Sequence, residues 1–102
     1  MRSAALVLAF AAAGAVAADA PRAHTVMMEI TGFVPASLTV KRGATVSFVN
    51  KDLYPHTATS AGHFDSKEIV PGKTWKYVAR EAGRFDYICT LHPNMKATLV
   101  VE

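Results

Sequence analysis

Three residues that can bind a transition metal lie close together near the end of the 102-residue sequence. Cys89, His92 and Met95 follow one another at intervals of three within the run C-T-L-H-P-N-M. A thiolate, an imidazole and a thioether are soft or borderline ligands, and one short loop can direct all three toward one point. A lone cysteine or methionine is most often a buried apolar residue. Their grouping directly after an apolar, strand-like run favours a metal site instead.

A second histidine would complete this set of ligands, and His56 in the segment Y-P-H-T is the best candidate. Two histidines and a cysteine in a trigonal arrangement, with a long bond to a methionine, are typical of copper sites that transfer electrons. His63 is an alternative first ligand, although an unpaired histidine in a loop is usually solvated and titrates near neutral pH. We interpret His24, near the expected start of the mature chain, as incidental.

Residues 1–18 have the pattern of a secretory signal peptide. Arg2 supplies a positive charge, residues 4–16 form an apolar run, and residues 15–17 (A-V-A) match a cleavage motif. The run is shorter than the roughly 20 apolar residues of a membrane-spanning helix, so an uncleaved anchor is the less favoured alternative. We therefore expect residues 19–102 to be one exported domain, for example in the periplasm, without stable membrane insertion after cleavage.

The composition argues against nucleic-acid binding and against stabilisation by an internal disulfide. The sequence has 11 basic and 8 acidic residues, a formal charge of +3, and removal of Arg2 would lower this charge to +2. A weakly basic chain without a run of Lys or Arg lacks the electrostatic pattern of a nucleic-acid-binding protein. Cys89 is the single cysteine, so no disulfide can form within the chain. A bound metal would protect this thiol in an oxidising compartment.

Alternation of apolar and polar residues predicts about six to eight short β-strands. The expected strands are residues 25–31, 33–40, 45–50, 67–70, 74–79, 85–89 and 97–101. Residues 51–66 lack this alternation, and a long connection in a small β-domain is often functional. Trp75 and Tyr77 share one face of a strand, whereas Met27 and Met28 point to opposite faces and are expected to serve the core. The pattern predicts an all-β fold, an antiparallel sandwich or barrel.

The chain resembles the cupredoxins, and within them the plastocyanin and amicyanin group of small blue-copper proteins. Three stretches carry the resemblance: F-x-P-x-x-L-x-V-x-x-G over residues 33–43, V-S-F-V-N-K-D-L-Y-P-H over residues 46–56, and F-D-Y-I-C-T-L-H-P-N-M over residues 85–95. The last stretch is the most specific of the three. Its spacing is most similar to that of the short ligand loop of amicyanin.

The resemblance implies a Greek-key sandwich of two sheets that holds one copper ion at one end. Carried over to this sequence, it implies His56, Cys89 and His92 as strong ligands and Met95 as the axial ligand.

One residue departs from the pattern of the family. The residue after the first ligand histidine is commonly asparagine, whose amide helps to tie the two ligand loops together, and here it is Thr57. A threonine hydroxyl has a shorter reach, but it can still form a hydrogen bond across the loops, for example with Thr90. Because such hydrogen bonds tune the potential and the rigidity of a metal site, the departure bears on the reduction potential.

These observations predict a soluble, monomeric electron carrier that is not an enzyme. It would pass one electron at a time between transient redox partner proteins. His92 lies between Leu91 and Pro93, so we expect its ring edge to emerge through an apolar surface, near Pro55, and to serve as the electron port. A small apolar patch suits brief, weak docking.

Two other functions compete with electron transfer. A copper carrier or scavenger would use a similar ligand set, but such proteins tend to have exposed sites that release the ion quickly, whereas ligands on rigid strands favour retention. An enzyme could use Cys89 and a histidine as a nucleophile and its base. That interpretation has no third, orienting group and leaves Met95 unexplained.

Overall fold

The computed structural model describes residues 22–102, and the predicted signal peptide lies outside this range. No helix long and apolar enough to cross a bilayer occurs among the described residues. Nine strands are present in this part of the chain. They are β1 (Ala23–Glu29), β2 (Gly32–Val34), β3 (Ser37–Val40), β4 (Thr45–Asn50), β5 (Thr59–Ser60), β6 (Phe64–Asp65), β7 (Thr74–Val78), β8 (Gly83–Cys89) and β9 (His92–Val101).

The strands form two sheets, which confirms the predicted all-β sandwich. One sheet has the strand order β2-β1-β4-β7, and the other has the order β3-β9-β8-β5-β6. The ring of Phe48 on β4 meets the ring of Tyr87 on β8 edge to face, with centroids 5.6 Å apart, so the core is continuous between the sheets. The sequence predicted antiparallel sheets, but both sheets are mixed. β1 pairs with β4 in parallel, and β3 pairs with β9 in parallel.

Strand β4 shows why this sequence forms a sandwich. Val46, Phe48 and Asn50 are fully buried, and the residues between them are half-buried. Since side chains alternate between the two faces of a strand, one face of β4 supplies the core. Burial of a large apolar side chain stabilises the folded state by roughly 1.5–3 kcal/mol relative to leaving it exposed. Met28 is also fully buried while Met27 is half-buried, as their opposite faces predict.

The strand expected over residues 33–40 is divided in the structure. Its first part belongs to β2, and residues 37–40 form β3 in the other sheet. Pro35 lies between the two parts, and proline has no N–H to donate to a strand ladder. The chain therefore crosses from one sheet to the other here, and the alternation of side chains does not reveal that crossing.

Three other expected segments differ from the structure by more than two residues. Residues 67–70 do not form a strand, and only Ile69 makes an isolated bridge, to His56. The irregular segment 51–66 contains the short pair β5 and β6. Strand β9 begins at His92, five residues earlier than expected, because the turn after β8 is short enough for pairing to resume at once.

Candidate metal centre

The loop that carries His56 is shaped by the buried side chain of Asn50. The Asn50 amide donates to the carbonyl oxygens of Tyr54 at 2.8 Å and Ile69 at 2.9 Å. Its Oδ1 atom accepts from the N–H of Asp52 at 2.8 Å. These three hydrogen bonds close the segment after β4 into a compact turn and place His56 against Ile69.

Both ring nitrogens of His56 have defined neighbours. Nε2 lies 2.7 Å from Oδ2 of Asp52, and the two side chains are only 4% and 9% exposed. The hydrogen bond from His56, followed by that from the Leu53 N–H, holds the pKa of Asp52 below its ordinary value. The ionised carboxylate accepts the Nε2–H. This fixes the tautomer of His56 and leaves the Nδ1 lone pair free to bind a metal.

Cys89 and His92 lie on either side of a two-residue turn. Thr90 and Leu91 separate the end of β8 from the start of β9, and Cys89 is paired with His92 in the ladder. The register shifts between Ile88 and Cys89. An irregularity of this kind can redirect a side chain, and it occurs here at the thiol.

The donor atoms of His56, Cys89 and His92 converge on one point. The Nδ1 atom of each histidine lies 3.6 Å from the Sγ atom of Cys89, and the three donor atoms lie within 4.8 Å of one another. With metal–sulfur bonds of about 2.3 Å and metal–nitrogen bonds of about 2.0 Å, as for zinc, two ligands of one ion lie roughly 3.5–3.7 Å apart. Both sulfur–nitrogen distances therefore fit ligands of a single transition-metal ion.

Met95 lies at the same end of the sandwich. Met95 is 9% exposed, and it lines a cavity of about 370 Å³ together with His56 and His92. Gly32, the first residue of β2, lies beside it, and a Cβ atom at Gly32 would lie in ordinary van der Waals contact with Cγ of Met95, at 3.9 Å. The position is compatible with the predicted axial ligand, and that role stays a prediction.

Thr57 links the two ligand loops. Its N–H donates to Sγ of Cys89 at 3.3 Å. Its Oγ1 atom accepts from the N–H of Thr90 at 2.9 Å and lies 3.2 Å from the Thr90 hydroxyl oxygen. The expected hydrogen bond between Thr57 and Thr90 is thus confirmed. Threonine is shorter than asparagine, but it reaches the other loop because the backbone N–H of Thr90 also donates to it.

Burial differs sharply between the predicted ligands. Cys89 is fully buried and His56 is buried, whereas His92 is exposed. The burial expected for the thiol and the exposure expected for the second histidine are both confirmed. The site is therefore shielded around the sulfur and open to the surface at one imidazole.

The other two histidines lie outside the donor cluster. His63 is exposed, packs its ring against Phe85 with centroids 4.8 Å apart, and has Nδ1 3.8 Å from Oε1 of Glu81. The structure therefore does not support His63 as the alternative first ligand. His24 lies on β1, paired with Val46.

Sequence reasoning missed the roles of Asn50 and Asp52. Two weak signals were present: an amide residue directly at the end of a strongly apolar strand, and an acidic residue four positions before the proposed ligand His56. Neither is specific, because both residue types are common in exposed turns. Only the observed loop conformation brings the Asp52 carboxylate to the imidazole.

Similarity to known proteins extends over almost the whole chain. A family model for the cupredoxin-like domain matches residues 2–101. The chain belongs to the cupredoxin family. This confirms the resemblance seen in the three sequence stretches.

Amicyanins and plastocyanins are among the similar proteins. Amicyanin of Paracoccus versutus is 31% identical, over 84% of this chain and 70% of that protein. Amicyanin-alpha of Methylorubrum extorquens is 32% identical, over 97% of this chain and 95% of that protein. Chloroplastic plastocyanin of Chlamydomonas reinhardtii is 33% identical, over 69% of this chain and 58% of that protein.

Solved structures agree with the cupredoxin fold. An oxidised amicyanin variant superposes with a TM-score of 0.75 and 28% identity, over 84% of this chain and 88% of that one. A copper-containing nitrite reductase from Thermus scotoductus gives a TM-score of 0.72 and 28% identity, over 76% of this chain. That match covers only 22% of the reductase, so it concerns one part of a larger enzyme.

Family membership and the donor cluster together support one copper ion as the cofactor of this cupredoxin. Thiolate is a good ligand for Cu(I), and imidazole suits copper as well as zinc. The donor set alone would also accept zinc. Membership of the cupredoxins decides between the two ions.

Proposed function

We propose that this cupredoxin is an exported blue-copper protein that carries single electrons between transient redox partner proteins. The observation that carries the proposal is the convergence of the His56, Cys89 and His92 donor atoms within 4.8 Å. Its relatives named amicyanin and plastocyanin support the same function, since the sequence resembles that group of blue-copper proteins. The signal-peptide pattern of residues 1–18 supports export, with the periplasm as the compartment.

In this proposal His56, Cys89 and His92 would hold the copper ion, and Met95 would supply the fourth ligand atom. A bound copper ion supplies a one-electron Cu(II)/Cu(I) couple. Cys89 ends β8, His92 begins β9, and the backbone of His56 is bridged to Ile69, so the donor atoms of these residues can move little. Because rearrangement during transfer raises the barrier, a rigid ligand set favours fast exchange of electrons.

Residues around the ligands have separate tasks. Asp52 holds the His56 ring with Nδ1 toward the thiol. The N–H of Thr57 donates to the Cys89 sulfur, and hydrogen bonds to a ligand sulfur tune the potential of a metal site. Full burial of Cys89 excludes water from the thiolate. Asp52 orients His56 beside Cys89, as in a nucleophile–base pair, but the fully buried thiol is closed to a substrate, which favours a carrier over an enzyme.

The exposed ring of His92 is the proposed electron port. We define the port surface as four exposed residues at this end of the sandwich: Ile30, Tyr54, Leu91 and His92. Ile30 and Tyr54 line the same cavity as His92, and Leu91 precedes it in the turn. Exposed apolar side chains around one redox-active ring suit short-lived docking, because such contacts form and separate quickly.

The first test is the visible absorption spectrum after addition of Cu(II). The wild-type protein should develop an intense blue thiolate-to-copper band, and the His56→Ala and Cys89→Ser variants should lack it. His63→Ala is the matched control and should keep the band. A colourless wild type, or a band that persists in His56→Ala, would contradict the assigned ligands.

The second test measures electron transfer by the copper-loaded protein. The electron self-exchange rate of the copper-loaded protein should fall in Leu91→Glu, because the new charge repels a second copy at the port surface. Thr39→Glu adds the same charge at an exposed position of β3 and should leave the rate unchanged. Rapid loss of copper to a competing chelator, together with slow self-exchange, would instead favour a copper carrier.

A further inference from the structure

A chain of hydroxyl groups leads from the ligand loops to a carboxylate beyond them. The Oγ1 atom of Thr57 lies 3.2 Å from that of Thr90 and 3.0 Å from that of Thr59. The Oγ1 atom of Thr59 in turn lies 3.1 Å from Oδ1 of Asp65. Thr59 and Asp65 face each other across the β5–β6 pair. None of these four residues is a proposed ligand.

Asp65 is held in place as an acceptor. Its Oδ1 atom also accepts from the N–H of Lys67 at 2.9 Å, and Lys67 adopts a left-handed conformation with φ of 61°. The Lys67 ammonium lies 3.5 Å from Oδ2. The backbone N–H of Lys67 is the main cause that lowers the pKa of Asp65. An ionised carboxylate can only accept hydrogen bonds.

The ionised carboxylate fixes the direction of every hydrogen bond in the chain. A hydroxyl has one proton, so Thr59, which donates to Asp65, can only accept from Thr57. Thr57 has then used its proton, and it must accept from the hydroxyl of Thr90 as well as from the Thr90 N–H. The Thr57 oxygen therefore receives two hydrogen bonds from the residue that follows Cys89.

We propose that Asp65 is a positioning residue of the copper site, which acts through Thr59 to hold Thr57 in the orientation that directs its N–H at the Cys89 sulfur. The hydrogen bonds between these hydroxyl groups do not depend on the metal, whereas their effect on the reduction potential of copper rests on the proposed function. A hydrogen bond to a ligand thiolate withdraws electron density from the sulfur, which favours the reduced state and raises the potential. Loss of these hydroxyl–carboxylate hydrogen bonds should therefore lower the midpoint potential of the copper site.

Four variants test this proposal. Thr59→Val removes the middle hydroxyl at nearly constant shape, Asp65→Ala removes the carboxylate, and the double variant combines both. Thr59→Ser keeps a hydroxyl and should behave as wild type. The matched control is Thr98→Val, because Thr98 donates to Asp86 at 2.8 Å in a similar exposed hydroxyl–carboxylate pair that does not touch the ligand loops.

Two measurements are made on each variant. In the metal-free protein, hydrogen exchange of the Thr57 and Thr90 amides should become roughly threefold to tenfold faster in Thr59→Val and Asp65→Ala, the equivalent of one weakened hydrogen bond. In the copper-loaded protein, the midpoint potential should fall in both. The double variant should match Thr59→Val alone, since the two residues act along one chain.

The proposal is overturned if exchange and potential stay at wild-type values in Thr59→Val, or if Thr98→Val changes them equally. It also fails if the two single effects add in the double variant, or if exchange accelerates while the potential is constant. Absence of a blue band in the wild type would contradict the proposed function instead. In that case the exchange measurements still decide whether Asp65 positions Thr57.

Discussion

The carboxylate of Asp52 accepts a hydrogen bond from Nε2 of His56 at 2.7 Å, so the opposite ring nitrogen faces the Cys89 thiol at 3.6 Å. One loop thus contributes both a proposed ligand and the residue that orients it. Carboxylate–histidine pairs of this kind fix the tautomer of a metal-binding imidazole and increase its basicity. The relationship makes Asp52 part of the metal centre, although it does not point at the donor cluster.

Asp52→Asn should weaken copper binding by roughly tenfold to a hundredfold, the usual effect of losing such a partner. Asparagine keeps an oxygen for the Leu53 N–H but removes the charge that fixes the His56 proton at Nε2. Competition titration with a chelator of known affinity measures the change. Asp86→Asn, an exposed carboxylate on β8, is the control and should bind as wild type. Equal affinities for Asp52→Asn and wild type would show that the pair is unimportant for the metal.

Removal of copper should lower the thermal stability of the protein. A ligand that binds only the folded state, at a free concentration a hundredfold above its Kd, stabilises it by about 2.7 kcal/mol. For a domain of this size that amounts to roughly 11–22 °C in Tm. Calorimetry of the copper-loaded and metal-free protein tests the shift. Cys89→Ser should show little dependence on copper, and a shift as large as that of the wild type would argue against thiolate ligation.

Phe48→Ala should destabilise the protein by about 3–5 kcal/mol, because it removes a large side chain from a core that collapses only in part. The Phe48 ring is fully buried and contacts Tyr87 and Trp75, with centroids 5.6 and 5.7 Å away. Urea unfolding of the metal-free protein measures the loss. Leu53→Ala is the comparison, since Leu53 is 85% exposed and its truncation should change stability by less than about 0.5 kcal/mol. Similar losses for both variants would contradict the described core.

Burial raises the pKa of the Tyr87 phenol above its ordinary value of 10.0. Above pH 10 the unfolded chain therefore loses this proton before the folded protein does, and stability falls as the pH rises. Tyr87→Phe removes this loss, which for one group is about 1.4 kcal/mol at one pH unit above the unfolded pKa. Urea unfolding at pH 8 and at pH 11 should show a smaller alkaline decrease in the variant.

Tyr54→Phe is the control for that experiment, because Tyr54 is exposed and its alkaline decrease should equal that of the wild type. The metal-free protein is used for all three chains, so that copper chemistry at high pH plays no part. An alkaline decrease that is the same with and without the Tyr87 hydroxyl would contradict its burial as a neutral phenol.

The sequence alone led to several correct conclusions. Alternation in residues such as 45–50 predicted strands because the side-chain period of a strand is local and needs no partner. The residue types and spacing of Cys89 and His92 predicted that their donor atoms meet, since ligand chemistry belongs to the side chains themselves. The structure shows this cluster, and the role of Met95 as a ligand stays a prediction. The resemblance identified the family, and the departure from its pattern at Thr57 predicted the link between Thr57 and Thr90.

Only the tertiary structure decided how the strands pair and which further distant residues meet. The crossing at Pro35, the parallel pairing of β1 with β4, and the approach of His56 to Cys89 across 33 positions depend on the whole sandwich. The same holds for Asp52 at His56 and for Asp65 at the end of the hydroxyl chain. Polar contacts between loops depend on backbone conformation and leave no periodic pattern in the sequence. They arise only when strands far apart in the chain have been brought together by burial of their common core.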